Sequence, residues 1–156
     1  LDFRVGDMRE PQGKEEFDLV LNLFTSFGYF ESEEDNIKVL EAIKTALKPG
    51  GLLLIDFMNT ARVIANLVPE SLVERGGISF QLRRFVEKGR ICKSIQFEAD
   101  GRSHQFFERV QALSKDDFLG YFQKTGLDVV LLSGDYEMKP FDEARSDRMI
   151  FLVRKP

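Results

Sequence analysis

The segment from Phe17 to Asn59 constrains the fold of this chain most, because two apolar stretches flank an amphipathic one. FDLVLNLF and LLLIDFM are apolar runs of strand length, typical of strands buried on both faces. Between them, Ser32 opens an S-x-x-D helix start, and Pro-Gly-Gly follows the helix. This order predicts a βαβ unit. Because ligands of parallel sheets bind where strands end, we predict a small-molecule site at residues 23–30 and 56–59.

Composition narrows the class of protein. A chain of 156 residues with 43% hydrophobic residues is typical of one globular domain. The net charge of −4 argues against a nucleic-acid partner, and no apolar run approaches the roughly 20 residues that would span a membrane. The single cysteine, Cys92, favours a cytoplasmic protein. With His104 as the only histidine, a zinc site is not expected. His104 is a candidate general base, but we favour a half-exposed strand histidine.

Residues 78–112 change to a period-two pattern. Two turn signals, Lys88-Gly89 and Asp100-Gly101, divide the segment into three stretches. Two-residue loops at these turns fix the register, and we predict a three-stranded antiparallel meander with one apolar face. A single charged row crosses that face and contains Arg84, Lys93 and Glu108. This row is either a grip for an acidic substrate or, as the default, an ordinary cross-strand charge pairing.

The rest of the chain returns to an alternation of helices and strands. A helix capped by Ser114 with Asp117 is expected to end at Gly126. The other predicted elements are a strand over residues 1–6, a short helix over 60–68, and strands over 127–132 and 148–154.

Five motifs occur in an order that resembles class I S-adenosylmethionine-dependent methyltransferases. They are GDMR at 6–9, FDLVLNLFTSFGYF at 17–30, LKPGG at 47–51, LLLIDFMN at 52–59 and GDY at 134–136. The resemblance covers the whole chain and is strongest to the subgroup acting on small molecules, in which an antiparallel insert follows the fifth core strand. It implies an α/β fold: a partial Rossmann-like sheet, mostly parallel with the last strand antiparallel. We expect one domain, 1–156, with a core of 1–77 and 113–156 and an insert at 78–112.

Two cofactor-binding motifs of this family have no counterpart in the sequence. One is the glycine-rich loop E/D-x-G-x-G-x-G after the first strand, and the other is an acidic residue after the second strand. The sequence starts at what would be the third strand of the family sheet. We therefore expect a carboxy-terminal portion of an enzyme, inactive on its own.

The resemblance also implies a cofactor site. Asp7 matches the acidic residue beside the adenine amine, although a turn aspartate is the alternative. Met8 follows it and is included in the predicted site. Leu23, Phe24 and Thr25 match the positions that flank the adenosine and methionine parts of S-adenosylmethionine. Without the family, Leu23 and Phe24 would be assigned to the core.

The methyl acceptor is expected beside Tyr29 and Phe30, although Tyr29 could instead anchor a loop. Asp56 and Asn59 are candidates to orient an acceptor amine or hydroxyl, or to accept its proton. We therefore take Tyr29, Asp56 and Asn59 as catalytic candidates, and Tyr29, Phe30 and Asn59 as substrate candidates. Asn59 is equally suited to cap the next helix. For Asp135-Tyr136 we favour structural bracing.

The implied reaction is methyl transfer from S-adenosylmethionine to an amine or hydroxyl of a small metabolite, with S-adenosylhomocysteine as product. The alternative is a non-catalytic interaction module that kept the sheet and lost cofactor binding. The insert would cover the acceptor pocket or form a dimer face. In the family sheet the first strand lies beside strand 18–24. That edge is expected to be open here, and we predict a homo-oligomer or strand exchange through it.

Overall fold

The computed structural model describes residues 2–156, which fold into two sheets and three helices. One sheet, the core sheet, has the strand order β1-β2-β8-β7, and the second has the order β3-β4-β5-β6. The elements are β1 (Phe17–Asn22), α1 (Glu33–Ala46), β2 (Leu47–Met58), α2 (Thr60–Ala65), β3 (Glu70–Arg75), β4 (Ile78–Glu87), β5 (Arg90–Ala99), β6 (Arg102–Gln111), α3 (Lys115–Thr125), β7 (Asp128–Ser133) and β8 (Arg148–Arg154).

The core sheet has the predicted α/β topology. Strands β1 and β2 are parallel, and β8 runs antiparallel to both of its neighbours, β2 and β7. Three of the four strands therefore point the same way, and the last strand of the chain is the antiparallel one. The bounds of β8 agree with the predicted 148–154, and β7 begins one residue after the predicted start.

The predicted βαβ unit is confirmed, and the predicted signal for the start of its helix is in place. The backbone N–H of Asp35 donates to the Ser32 hydroxyl over 3.1 Å, which satisfies one free donor at the start of α1. Val39 and Leu40 of α1 are fully buried against the sheet. Helix α1 ends at Ala46, three residues before Pro49, so the Pro-Gly-Gly motif lies within β2, where Gly50 has a left-handed φ of 77°.

Helix α3 completes the core on the same side of the sheet as α1. Its capping box joins Ser114 and Asp117, and Gly126 ends it in the left-handed conformation, as predicted. The fully buried ring of Phe118 lies at the centre of an aromatic cluster. The rings that surround it belong to Phe27, Phe57, Tyr121, Phe122 and Phe151.

Two predictions about the amino-terminal part are wrong. The strand over 1–6 does not form in residues 2–6, and Leu1 lies outside the described residues. No neighbouring strand pairs with the backbone there, so no strand forms, and Phe3 and Val5 are exposed. Strand β1 does form, but it is not buried on both faces.

The uncovered side of β1 belongs to a larger apolar surface. Leu19 and Leu21 pair in register with Leu52 and Leu54 of β2, and Leu54 pairs with Leu152 of β8. Leu19 and Leu21 are about half exposed, at 49% and 53%. We call these five leucines the open face of the core sheet. No helix among residues 2–156 covers it, since α1 and α3 both pack on the other side.

The second sheet has the predicted register and one more strand than predicted. Arg84 lies opposite Lys93, and Lys93 lies opposite Glu108. The three-stranded meander is corrected to four strands, because β3 pairs with β4 through a Gly76-Gly77 turn in which both glycines have positive φ. The insert therefore begins at Glu70, and α2 ends at Ala65. No helix in the described part of the chain is long and apolar enough to cross a membrane.

Candidate functional site

The loop that follows β1 takes an unusual backbone conformation. Phe24 and Thr25 have φ values of 57° and 61°, in the left-handed region that non-glycine residues seldom adopt. Each such residue costs about 1–3 kcal/mol unless its surroundings hold it. Asp56 provides that support, since its carboxylate accepts the Phe24 N–H at 3.0 Å and its backbone carbonyl accepts the Thr25 N–H at 2.9 Å. The predicted residues Thr25 and Asp56 are thus brought together.

Asp56 is the buried centre of a polar cluster whose other members are partly or largely exposed. Its side chain is 1% exposed and forms a 2.7 Å ion pair with Arg148 Nε. The Tyr136 hydroxyl donates to the second carboxylate oxygen over 3.0 Å, and Arg148 also donates to Thr25 Oγ1. Burial and the hydrogen bond to Asp56 raise the pKa of Tyr136, which therefore stays a donor at neutral pH. These contacts favour a structural role for both Asp56 and Tyr136.

Asn59 uses its side chain to hold a loop. Its Nδ2 donates to the carbonyl oxygens of Glu143 and Ser146, each over 2.8 Å, and the residue is 1% exposed. It occupies the N-cap position of α2 without making a side-chain capping bond. Asn59 thus ties the 137–147 loop to the end of β2, and its role toward a substrate stays a prediction.

Tyr29 and Phe30 belong to the segment that connects β1 to α1. Burial and the negative charge of Glu108 raise the pKa of Tyr29. At neutral pH this phenol is therefore a hydrogen-bond donor and a poor base. The Arg9 guanidinium lies 4.5 Å from the centre of the Phe30 ring, a cation–π contact.

Asp7 lies near the start of α1, away from the Asp56 cluster. Its carboxylate accepts hydrogen bonds from Arg9, the shortest at 2.6 Å, and Arg9 also reaches Asp35 at 3.3 Å. The hydrogen bonds from Arg9 lower the pKa of Asp7 to about 2. Asp7 therefore stays ionised at neutral pH. For the predicted contact, the adenine amine would have to donate to a carboxylate that already accepts hydrogen bonds from Arg9.

Asn22, at the end of β1, is a polar residue that the sequence analysis missed. It is 6% exposed, and its Oδ1 has no hydrogen-bond partner among residues 2–156. It lines a groove of about 360 Å³ between β1, α1 and the segment around Met8. The available signal was a single amide at the end of a mostly apolar strand. A buried carbonyl of this kind favours a ligand that carries a hydrogen-bond donor.

A second groove lies between α2 and the strands β3 and β4. Its volume is about 470 Å³, and Arg62, Arg84 and Asp147 provide its charged lining. In the part of the chain that the structure describes, no three His, Cys, Asp or Glu residues are arranged to hold a metal ion. His104 stacks on the Phe97 ring, 5.0 Å between centres, and Cys92 is fully buried. Neither residue shows an arrangement for catalysis.

The comparisons with known proteins give a clear result for the fold alone. A scan against protein-family models finds no match, and a search of curated proteins finds none either. Among solved structures, an S-adenosylmethionine-dependent methyltransferase from Clostridium acetobutylicum ATCC 824 is 16% identical with a TM-score of 0.84, over 97% of this chain and 63% of its own. The CcbJ methyltransferase from Streptomyces caelestis is 15% identical with a TM-score of 0.80, over 96% and 62%.

A third similar structure was solved with S-adenosylmethionine bound. It is CalS10, an amino pentose methyltransferase from Micromonospora echinaspora, which is 16% identical with a TM-score of 0.68, over 97% of this chain and 63% of its own. The chain thus spans less than two thirds of the length of each of these structures. At these identities the likeness establishes the fold: this chain has the fold of class I S-adenosylmethionine-dependent methyltransferases.

Proposed function

We propose that this chain forms the acceptor-side part of an enzyme that transfers a methyl group from S-adenosylmethionine to an amine or hydroxyl of a small metabolite. The fold supports this proposal, as does the bound S-adenosylmethionine in CalS10. The observation that carries it is the unpartnered Oδ1 of Asn22 at the end of β1, beside the left-handed turn at Phe24 and Thr25. Parallel sheets bind nucleotides and related ligands at such strand ends.

The residues around Asn22 fit the proposed cofactor. S-adenosylmethionine carries an ammonium group, ribose hydroxyls and an adenine amine, and each is a donor that the Asn22 carbonyl can accept. Leaving a buried acceptor unpaired costs about 1–3 kcal/mol, which a bound donor would recover. Met8, Val20 and Ala42 give the groove an apolar lining against which the adenosine could pack. We assign Asp7, Met8, Leu23, Phe24 and Thr25 to the same site.

The main contribution of the chain to the reaction would be to position the acceptor relative to the methyl group. When bound, S-adenosylmethionine supplies a methyl group on a positively charged sulfur, which a nitrogen or oxygen lone pair of the acceptor attacks. Asp56 is engaged with Arg148, and Tyr29 is protonated at neutral pH, so we assign no proton abstraction to either. Tyr29 and Phe30 would instead orient the acceptor for in-line attack, an effect that can supply much of the acceleration.

Binding of S-adenosylhomocysteine tests this proposal through Asn22. We expect Asn22→Leu to weaken binding at least about tenfold, because about 1.4 kcal/mol for one lost hydrogen bond corresponds to that factor. Isothermal titration calorimetry measures the affinity. Gln96→Leu, which removes an amide from an exposed position of β5, is the matched control and should bind as the unchanged chain does.

The titration should use both this chain and the longest open reading frame that contains it. Binding to the longer protein with little or none to this chain fits the proposal, since the glycine-rich loop of the family has no counterpart here. Absence of binding to both would favour the alternative, a non-catalytic interaction module.

We also propose that a second copy of the chain pairs with β1. This strand is at the edge of the core sheet, so the backbone groups on its outer side have no partner strand among residues 2–156. Such an edge is prone to pairing with another chain. The open face beside it adds exposed leucine surface that a second copy would bury.

Light scattering over a range of concentrations tests this pairing. We expect a dimer for the unchanged chain, and a dissociation constant at least tenfold higher for Leu21→Lys, because a lysine on an edge strand opposes pairing. Val130→Lys places the same charge at an exposed residue of β7, the opposite edge of the core sheet, and should leave the dimer intact. A monomer at every concentration would rule out the proposal.

A further inference from the structure

We propose that the groove between α2 and the strands β3 and β4 binds a carboxylate of the methyl acceptor, and that Arg84 is the residue that selects it. This inference rests on the proposed function for its role in catalysis. The binding step can be tested separately.

Arg84 is held in place without a charge partner. Its Nη1 donates to Ser71 Oγ over 2.9 Å and points toward the carbonyl of Val68, at 3.5 Å. No Asp or Glu among residues 2–156 lies within 4.0 Å of its guanidinium. A guanidinium has five N–H donors in a fixed plane, so this one keeps donors free for a second oxygen-bearing group.

The other two cations near the groove are compensated. Arg62 pairs with Asp147 at 3.1 Å, and Lys93 pairs with Glu108 at 3.3 Å. Arg84 lies directly opposite Lys93 in the register, and two like charges in this position destabilise a sheet. An anion beside Arg84 would offset that repulsion. The positive charge of Arg84 is a local feature of this groove, since the chain as a whole is acidic, with a net charge of −4.

The shape of the groove indicates the class of anion. Its volume of about 470 Å³ suits a small molecule, and Val63, Leu67 and Ile91 provide an apolar wall. A single planar guanidinium matches the two oxygens of a carboxylate, which it can bind in a bidentate manner. The acceptor should therefore combine a carboxylate with an apolar segment.

The charged row connects this groove to the loop that carries Tyr29. Arg84, Lys93 and Glu108 lie on three adjacent strands, which spans about 10 Å at the usual strand spacing. The charge of Glu108 contributes to the raised pKa of Tyr29, which indicates that the far end of the row lies near that phenol. An acceptor about 10 Å long could place its carboxylate at Arg84 and its nucleophile near Tyr29.

Phenylacetate and its neutral analogue phenylacetamide are suitable probes. In an NMR titration of the full chain at low salt, we expect phenylacetate to shift the amide signals of groove residues and to bind at least tenfold more tightly than phenylacetamide. Arg84→Gln should weaken phenylacetate binding at least tenfold, and Arg84→Lys should give an intermediate loss. Arg83→Gln is the matched control, because Arg83 lies on the opposite face of β4 and pairs with Glu70.

Equal binding of the two probes, no binding of phenylacetate, or equal affinity of the Arg84→Gln and unchanged chains would overturn the proposal. Circular dichroism of each variant separates loss of binding from loss of folding. Titration of the longer protein with S-adenosylhomocysteine separates a failure of the proposed methyltransferase function from a failure of the proposed carboxylate site. Failure of that titration with phenylacetate binding intact would contradict the methyltransferase function and leave the carboxylate site standing.

Discussion

Replacing Asp56 with alanine should lower the free energy of unfolding by about 3–5 kcal/mol, the usual cost of removing one partner of a buried ion pair. The carboxylate is 1% exposed and pairs with Arg148 at 2.7 Å. Its removal leaves that guanidinium without an anion and the Tyr136 hydroxyl without its acceptor. The Phe24 N–H loses its acceptor as well, so the left-handed turn at the strand end loses support. Urea unfolding followed by circular dichroism measures the change.

Asp18→Ala is the control for this variant. Asp18 pairs with Lys48 at 2.9 Å, a distance close to that of the Asp56 pair, but its side chain is 83% exposed. An exposed pair contributes about 0–1 kcal/mol, so Asp18→Ala should have little effect. If the two variants lost the same free energy of unfolding, the interpretation of Asp56 as a buried carboxylate that holds the strand ends together would be wrong.

Phe118→Ala should have a comparable effect, with a loss of about 3–5 kcal/mol in the free energy of unfolding. Phe118 is fully buried, and its ring centre lies 5.1 Å from that of Phe57 and 5.0 Å from that of Phe151. Truncation removes apolar surface from the core and leaves a cavity that the surrounding rings cannot fill completely. The measurement is again chemical unfolding, with the slope against denaturant checked for two-state behaviour.

The adjacent residue provides the comparison for Phe118. Leu119 is on the outer side of α3 and is 38% exposed. Leu119→Ala should change the free energy of unfolding by about 0.5 kcal/mol or less, because surface substitutions seldom do more. A loss below about 1 kcal/mol for Phe118→Ala would contradict the assignment of this ring to the centre of the core.

Local signals in the sequence predicted the elements that depend on local chemistry. Ser32 and Ser114 begin their helices because their hydroxyls accept hydrogen bonds from nearby backbone N–H groups. Donor and acceptor are three residues apart, so a four-residue window of sequence contains the whole signal. The register of the insert followed from the Lys88-Gly89 and Asp100-Gly101 turns for the same reason. The family resemblance added the order of the strands, which local patterns do not contain.

Features that depend on distant contacts were missed. Asp56 and Arg148 are 92 residues apart, so their pairing follows only from the position of β8 beside β2. Strand β3 was missed because ESLVER has only two apolar residues and the strand lies at an edge of its sheet. The sequence shows that Asn22 is polar, but whether its Oδ1 has a hydrogen-bond partner depends on the packing around it.

The position of β8 has a consequence for synthesis on the ribosome. This strand lies between β2 and β7, and its Phe151 and Val153 are fully buried. Until residues 148–154 have left the exit tunnel, β2 and β7 cannot be joined, and apolar side chains from both remain accessible to the solvent. The core sheet of this chain therefore closes only after translation of β8, and shorter nascent chains expose apolar surface of the kind that promotes aggregation.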